Sequence, residues 1–257
     1  YYTGGGSGIG RRLAQHLASE GRVEASPYKI LTDYVSFTGQ SWVSPYGSFP
    51  NQAAYCMRAD VTSWDDTVNV FRVAEQTFLS KVDFVFANAG AAILGFPNGK
   101  GAPDLTAAIN HFRAHRSGGH VIVTASQASL HPFGGEPLYT ASKHGVLGLV
   151  RATAMQVATE GIYINAVAPG STSSNLMPKA IEDALNSRGW KVSKEKIMEA
   201  FDLLLDPKNK YSGQLVQAVG DQVSLWPYPP PSMRLIVLKE VLLMLLLMRT
   251  VKVGNRL

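Results

Sequence analysis

Apolar residues along this chain follow two alternating rhythms. From Ile9 to Glu20, the positions Ile9, Leu13, Ala14 and Leu17 recur at helical spacing, and Gly21 follows as a natural stop. YKILTDY at 28–34 and AYCMRAD at 54–60 predict strands. Between them, 36–52 is crowded with Gly, Pro, Ser and Asn and has no period, which predicts a loop that is long for a compact domain. The rhythm resumes with a helix over WDDTVNVFRVAEQTF (64–78), a buried strand over VDFVFANAG (82–90) and a glycine-rich turn around 95–103. A short helix over LTAAINHFRAH (105–115), a strand over GGHVIVTAS (118–126), a long helix over 139–161 and a buried strand over IYINAVAPG (162–170) complete it. Strands alternating with helices imply right-handed crossovers, and so an α/β fold with a doubly wound parallel sheet covered on both faces.

The tail departs from this pattern. SLWPYPPPSM at 224–233 is a proline-rich breaker, and LIVLKEVLLMLLLM at 235–248 is almost wholly apolar. Those fourteen residues, interrupted by Lys239 and Glu240, fall short of the roughly 17 to 25 needed to cross a bilayer. A helix packing on its own or a partner domain is the first reading; peripheral membrane contact through 235–248 is the alternative. The expected division is therefore a main domain over 1–225 and a tail over 226–257.

Composition narrows the classes. With 46% apolar residues in 257, the chain can bury a sizeable core. Its formal charge of +5 comes from scattered Lys and Arg, without the basic block that marks nucleic-acid binding. One cysteine, Cys56, excludes an internal disulfide and a thiolate zinc cluster, which fits a reducing, cytoplasmic setting and a buried spectator thiol. His111 and His115 have the i, i+4 spacing of a helix metal pair, but no glutamate motif accompanies them, so no metal is expected and a solvated helix face is the reading.

Two motifs carry chemistry. Thr3, Gly4, Gly8 and Gly10 form T-G-x-x-x-G-x-G at the start of the first helix. Glycine permits positive φ and close backbone approach, and the helix-start amides favour a pyrophosphate. The spacing matches neither G-x-G-x-x-G nor a P-loop, so alone it is weak. The second motif joins Tyr139 and Lys143, four apart on one helix face, to Ser126 at the end of a predicted strand. A free phenol with a pKa of about 10 is a poor base near neutrality; a nearby ammonium favours the phenolate, and a serine hydroxyl can hold a substrate oxygen.

Taken in order, TGGGSGIG, Asp60-Val61, Asn88-Ala89-Gly90, Ser126, Tyr139-x-x-x-Lys143 and Pro169-Gly170 resemble the motifs of the short-chain dehydrogenase/reductase family over most of residues 3–220, and the SKHG run at 142–145 with its flanks is slightly similar to the 15-hydroxyprostaglandin dehydrogenase branch. The resemblance implies a Rossmann-like dinucleotide-binding domain and an NAD(P)-dependent oxidoreductase that interconverts a secondary alcohol and a ketone, with that small molecule as its partner. It makes Tyr139 the general acid/base, Ser126 the group that orients the carbonyl or alcohol, and Lys143 the residue that tunes the tyrosine and binds the nicotinamide ribose. It brings Thr3, Gly4, Gly8, Ile9 and Gly10 to the phosphates, Asp60 and Val61 to adenine, Asn88, Ala89 and Gly90 to the cofactor wall, and Pro169, Gly170, Thr172 or Ser174 to the carboxamide end. Asp33, at the end of the second predicted strand, would bind the ribose 2′-hydroxyl, which favours NAD over NADP.

Departures from the family pattern shape further expectations. Only Tyr1 and Tyr2 precede the glycine loop, so the sheet is expected to lack a complete first strand. The helix at 105–115 is short; Asn110 stands too near Ser126 to be the family's relay asparagine and is read as a helix-surface residue. That shortening weakens the homo-oligomer the resemblance would imply. An impaired family product acting as a binding module is accordingly the alternative function.

Overall fold

The computed structural model describes residues 8–19, 30–34, 54–61, 63–78, 82–88, 103–173, 183–184, 187, 191–206 and 208–226. The loop expected at 36–52 and the tail at 227–257 lie outside these residues. The elements in chain order are α1 (Gly8–Ser19), β1 (Ile30–Tyr34), β2 (Ala54–Arg58), α2 (Trp64–Phe78), β3 (Phe84–Ala87), α3 (Pro103–His115), β4 (Gly119–Thr124), α4 (Pro137–Gln156), β5 (Ile162–Pro169), α5 (Lys194–Leu205), β6 (Leu215–Val219) and β7 (Gln222–Trp226). Helix starts are locally encoded. The Ser63 hydroxyl accepts the Asp66 N–H at 3.3 Å, and Asp65 and Asp66 place negative charge at the positive end of α2. The Ser193 hydroxyl accepts the Lys196 N–H at 3.0 Å to cap α5, and Pro137 occupies the first turn of α4, where no amide partner is lost.

Strands β3, β4, β5 and β6 pair in that order, all parallel, and β7 closes the edge antiparallel to β6. The expected parallel α/β sheet is present, and the structure adds a hairpin at its edge, whose two-residue turn places Gly220 at φ 58°, the left-handed region that such turns use. Trp226, assigned by its sequence to the tail, pairs with Leu215 in that hairpin. β1 and β2 pair parallel with each other. Among the described residues no strand joins this pair to the other five.

Period-two alternation sends neighbouring residues to opposite faces, and both faces are covered. Val121, Ile164 and Leu215 face one way and pack with Val70, Phe71, Phe112 and Val150 from α2, α3 and α4. Ile122, Val167 and Val216 face the other way and pack with Leu13 of α1 and Ile197 and Phe201 of α5. Asn165 is buried in β5, yet its side chain donates to the Tyr211 carbonyl at 2.7 Å and accepts from the Gln214 amide at 3.1 Å, so it carries no unsatisfied polar atom of its amide group. α1 is also tied to α5 by polar contacts: His16 Nε2 meets Asp202 at 2.9 Å, and Arg12 meets Glu195 at 3.2 Å. Among the described residues no helix is long and apolar enough to cross a membrane.

At the opposite end of the sheet from the strand termini that carry the site, Gly118, Gly119 and Gly161 all have positive φ, and the Gly119 amide donates to the Gly161 carbonyl at 3.1 Å. A Cβ on Gly119 would run into the buried Phe112 ring. Gly119→Ala is therefore expected to destabilise by about 2–4 kcal/mol, combining strain at φ 157° with overpacking. Gly148→Ala, on an exposed turn of α4 where nothing lies within 4 Å, is expected to stabilise by roughly 0.5–1 kcal/mol. Urea unfolding of the two variants checks both signs.

Candidate active site

Because β3, β4 and β5 run parallel, their carboxyl ends share one edge of the sheet, where ligands of open α/β folds bind. Asn88 follows β3, Ser126 follows β4 and Gly170 follows β5. Thr124 joins the first two to α4. Its hydroxyl donates to Asn88 Oδ1 at 2.9 Å, and its carbonyl accepts from Lys143 Nζ at 3.0 Å.

Ser126 sits in extended backbone (φ −165°, ψ 163°) and caps a 3-10 turn over Gln127–Ser129. Its Oγ accepts the Ala128 N–H at 3.1 Å, which fixes the oxygen and leaves the hydroxyl hydrogen to be directed elsewhere. Gln127 ties the same turn to the next strand, donating from Nε2 to the Ala168 carbonyl at 3.1 Å. Beyond Ala168, Pro169 pairs with Ala218, and the Gly170 amide donates to the Ala218 carbonyl at 2.8 Å. A Cβ on Gly170 would come within 3.3 Å of that carbonyl and 3.6 Å of Val192, so the chain passes here through a space cut for glycine. Ser171 then accepts from the Val192 amide at 2.7 Å, joining this segment to the lead-in of α5.

Tyr139 and Lys143 lie one turn apart at the start of α4, and Lys143 Nζ stands 5.8 Å from the centre of the Tyr139 ring. Burial pushes the Lys143 amine down to about 8. The sequence reading joined the two residues through the charge of the ammonium on the phenol. The structure adds that this ammonium is anchored to the Thr124 carbonyl and is itself shifted by desolvation.

The remaining expected residues divide. Gly8 opens α1 at φ 56°, Gly10 is buried, and Ile9 packs against the core beneath α1. The Asp60 amide donates to Asp66 Oδ2 at 2.9 Å and its carbonyl accepts from Ser63, so Asp60 is held at the start of α2; Val61 beside it is half-buried. Asp33 pairs with Met57 across β1 and β2, and Thr172 is half-buried after β5. Asn110 is exposed on α3. Thr3, Gly4, Ala89, Gly90 and Ser174 lie outside the described residues. One reading is corrected: His111 belongs to no solvated face. Its side chain is 4% exposed, held by Glu75 at 2.8 Å and by the Val82 amide at 3.2 Å, because position 111 falls on the apolar stripe of α3 between Ala108 and Phe112. Thr124 and Gln127 were missed by sequence reasoning; a polar residue closing the run VIVT was the one available signal.

Comparisons with known proteins bear on the family and the fold. A sequence profile described as short chain dehydrogenase matches residues 1–101 and 97–185. The short-chain dehydrogenase/reductase prx4 of Penicillium rubens is 28% identical over 259 residues, covering 85% of this chain and 73% of its own. The 3-phenylpropionate-dihydrodiol/cinnamic acid-dihydrodiol dehydrogenase of Escherichia coli is 28% identical over 230 residues, covering 81% and 80%. Among solved structures, the 3-ketoacyl-(acyl-carrier-protein) reductase of Brucella melitensis, complexed with NADH, superposes with a TM-score of 0.69 at 23% identity, covering 85% of this chain and 95% of that one.

The shift at Lys143 has a pH signature. Between about 8, the folded value, and 10.5, the ordinary one, the unfolded chain keeps a proton that the folded chain has released, so stability contributed by this group rises with pH across that window. Lys143→Met is expected to lose this rise. Melting temperatures of the two proteins compared across that window check it, the gap shifting in favour of the unsubstituted protein as pH increases.

Proposed function

Since the chain belongs to the short chain dehydrogenase family, we propose that it is an NAD(P)-dependent oxidoreductase that interconverts a secondary alcohol and a ketone, working at the strand-end cluster of Asn88, Ser126, Tyr139, Lys143 and Gly170. The observation that carries this reading is the joining of Asn88 and Lys143 through Thr124, with Ser126 and Gly170 following the carboxyl ends of neighbouring parallel strands. The residues fit a dinucleotide: a helix start at Gly8 and a buried amine at Lys143. Gly8 and Gly10, with Thr3 and Gly4 before them, would hold the phosphates; Asp60 and Val61 would meet adenine, and Asn88, Ala89 and Gly90 would line the groove. Asp33 would favour NAD over NADP, since a carboxylate beside a 2′-phosphate repels it. A bound nicotinamide dinucleotide supplies or removes the hydride.

The protein's own residues do the rest. The Ser126 hydroxyl, its oxygen fixed by the Ala128 amide, points its hydrogen at the substrate oxygen. Tyr139 carries the proton to or from that oxygen. Lys143 holds positive charge beside the Tyr139 ring while its anchor on Thr124 keeps α4 in register with β4. The substrate itself would be covered by the segment 171–205, which mixes apolar and polar residues and so leaves the alcohol's size open.

The test is a panel of secondary alcohols with NAD, read by appearance of NADH absorbance, alongside calorimetric titration of NADH. Tyr139→Phe is expected to bind NADH as the unsubstituted protein does and to lose turnover by roughly 100-fold to 10,000-fold. Full turnover in Tyr139→Phe would remove Tyr139 from the mechanism. Absence of NADH binding at millimolar concentration would favour the alternative, a family product without oxidoreductase activity.

A further inference from the structure

A second cluster of titratable side chains lies where α2, α3 and the entry to β3 meet. His111 of α3 is wedged between the rings of Phe71 and Phe112, at 5.3 and 5.9 Å between ring centres. Its Nδ1 is 2.8 Å from Glu75 Oε1 of α2, and its Nε2 accepts the Val82 N–H at 3.2 Å. His115, one turn on, donates from Nδ1 to the His111 carbonyl at 2.9 Å and brings its Nε2 to 3.5 Å from Glu75. One ligand atom from each of Glu75, His111 and His115 lies within 4.8 Å of the others, which resembles the spacing of a three-ligand metal site.

The Val82 amide decides between a metal and a proton. An amide N–H can only donate, so His111 Nε2 must present its lone pair, and the ring's one hydrogen sits on Nδ1 and goes to Glu75. A metal on Nδ1 would move that hydrogen to Nε2 and set it against the Val82 N–H, donor against donor. We propose that Glu75, His111 and the Val82 amide form a proton-sensitive lock: with His111 neutral the lock ties α2, α3 and β3 together, and a proton taken up at Nε2 releases Val82 and loosens the entry to the strand that ends at Asn88.

The groups that face His111 set the sign. Burial pushes it below the usual histidine range and His115 on the same helix pushes it further, while Glu75 from α2 pulls it back. Lys81 and Asp83 flank Val82 in sequence at the entry to β3, so charges of both signs stand on that side. The unfolded chain therefore takes up the proton first as pH falls from about 6.5, and stability contributed by the lock is complete above that value and lost below it. This inference does not rest on the cofactor reading, and its test uses no cofactor.

The test combines imidazole NMR titration of the full chain with melting temperatures from about pH 7.5 to about pH 5. His111 is expected to carry its hydrogen on Nδ1 at neutral pH and to titrate below about 6.5, with His115→Gln moving that midpoint up and Glu75→Gln moving it down. His111→Gln, whose amide accepts from Val82 and donates to Glu75 without titrating, is expected to lose less melting temperature on acidification than the unsubstituted protein, by roughly 2 °C or more. His120, also held low by burial, stays in the variant and sets its remaining slope. Should His111→Gln fail to fold, the two NMR midpoint shifts decide alone. An unchanged acid slope in a folded His111→Gln, or a midpoint indifferent to both neighbours, overturns the lock. So does a rise in melting temperature with zinc ions that His111→Gln or His115→Gln abolishes, which would make the cluster a metal site.

Discussion

The candidate site depends on two hydrogen bonds made by one residue. Thr124 ends β4; through its hydroxyl it holds Asn88 after β3, and through its carbonyl it holds the Lys143 amine of α4. A buried ammonium must find an acceptor or lose its proton, and the Thr124 carbonyl supplies one. That bond docks α4 against the end of β4, with Tyr139 one turn from Lys143 on the same helix. Burial holds the Lys143 amine down at about 8.

Everything beneath that contact serves to hold the strand ends still. Val121 and Ile122, adjacent on β4, anchor the apolar cores on the two faces, so the strand cannot slip by one residue without exchanging its entire buried set. At the far end, Gly118, Gly119 and Gly161 let β4 and β5 start in contact, under the Phe112 ring. On one face α5 clasps α1 through Leu13, Ile197 and Phe201, reinforced by His16 and Asp202. This links the helix that follows the glycine loop to the helix that ends the proposed substrate cover.

Much of this was legible in the sequence. The bounds of α2 match the expected helix, and every described strand through β5 falls inside a segment read as a strand, because burial on both faces writes continuous apolar runs with Gly and Pro between them. The hairpin β6–β7 was not read, although Gly220-Asp221 between LVQAV and QVSLW is a two-residue turn signal; the prolines that follow drew the boundary too early. His111 was misread because spacing alone compares it with His115, whereas its place in the stripe from Leu105 through Ala108 to Phe112 shows that the ring must be buried. For Thr124 only the hydroxyl left a signal, as a polar residue closing VIVT; its carbonyl contact to Lys143 carries no sequence signature.

The most direct test of the account is amide hydrogen exchange with and without NADH. If the strand ends form one cofactor-binding edge, NADH protects peptides covering 84–88, 121–126 and 166–171 together, and leaves the exposed turns of α4 beyond Gly148 unchanged. Protection confined to any other surface, or none at saturating NADH, would contradict the claim that Asn88, Ser126, Lys143 and Gly170 belong to a single site.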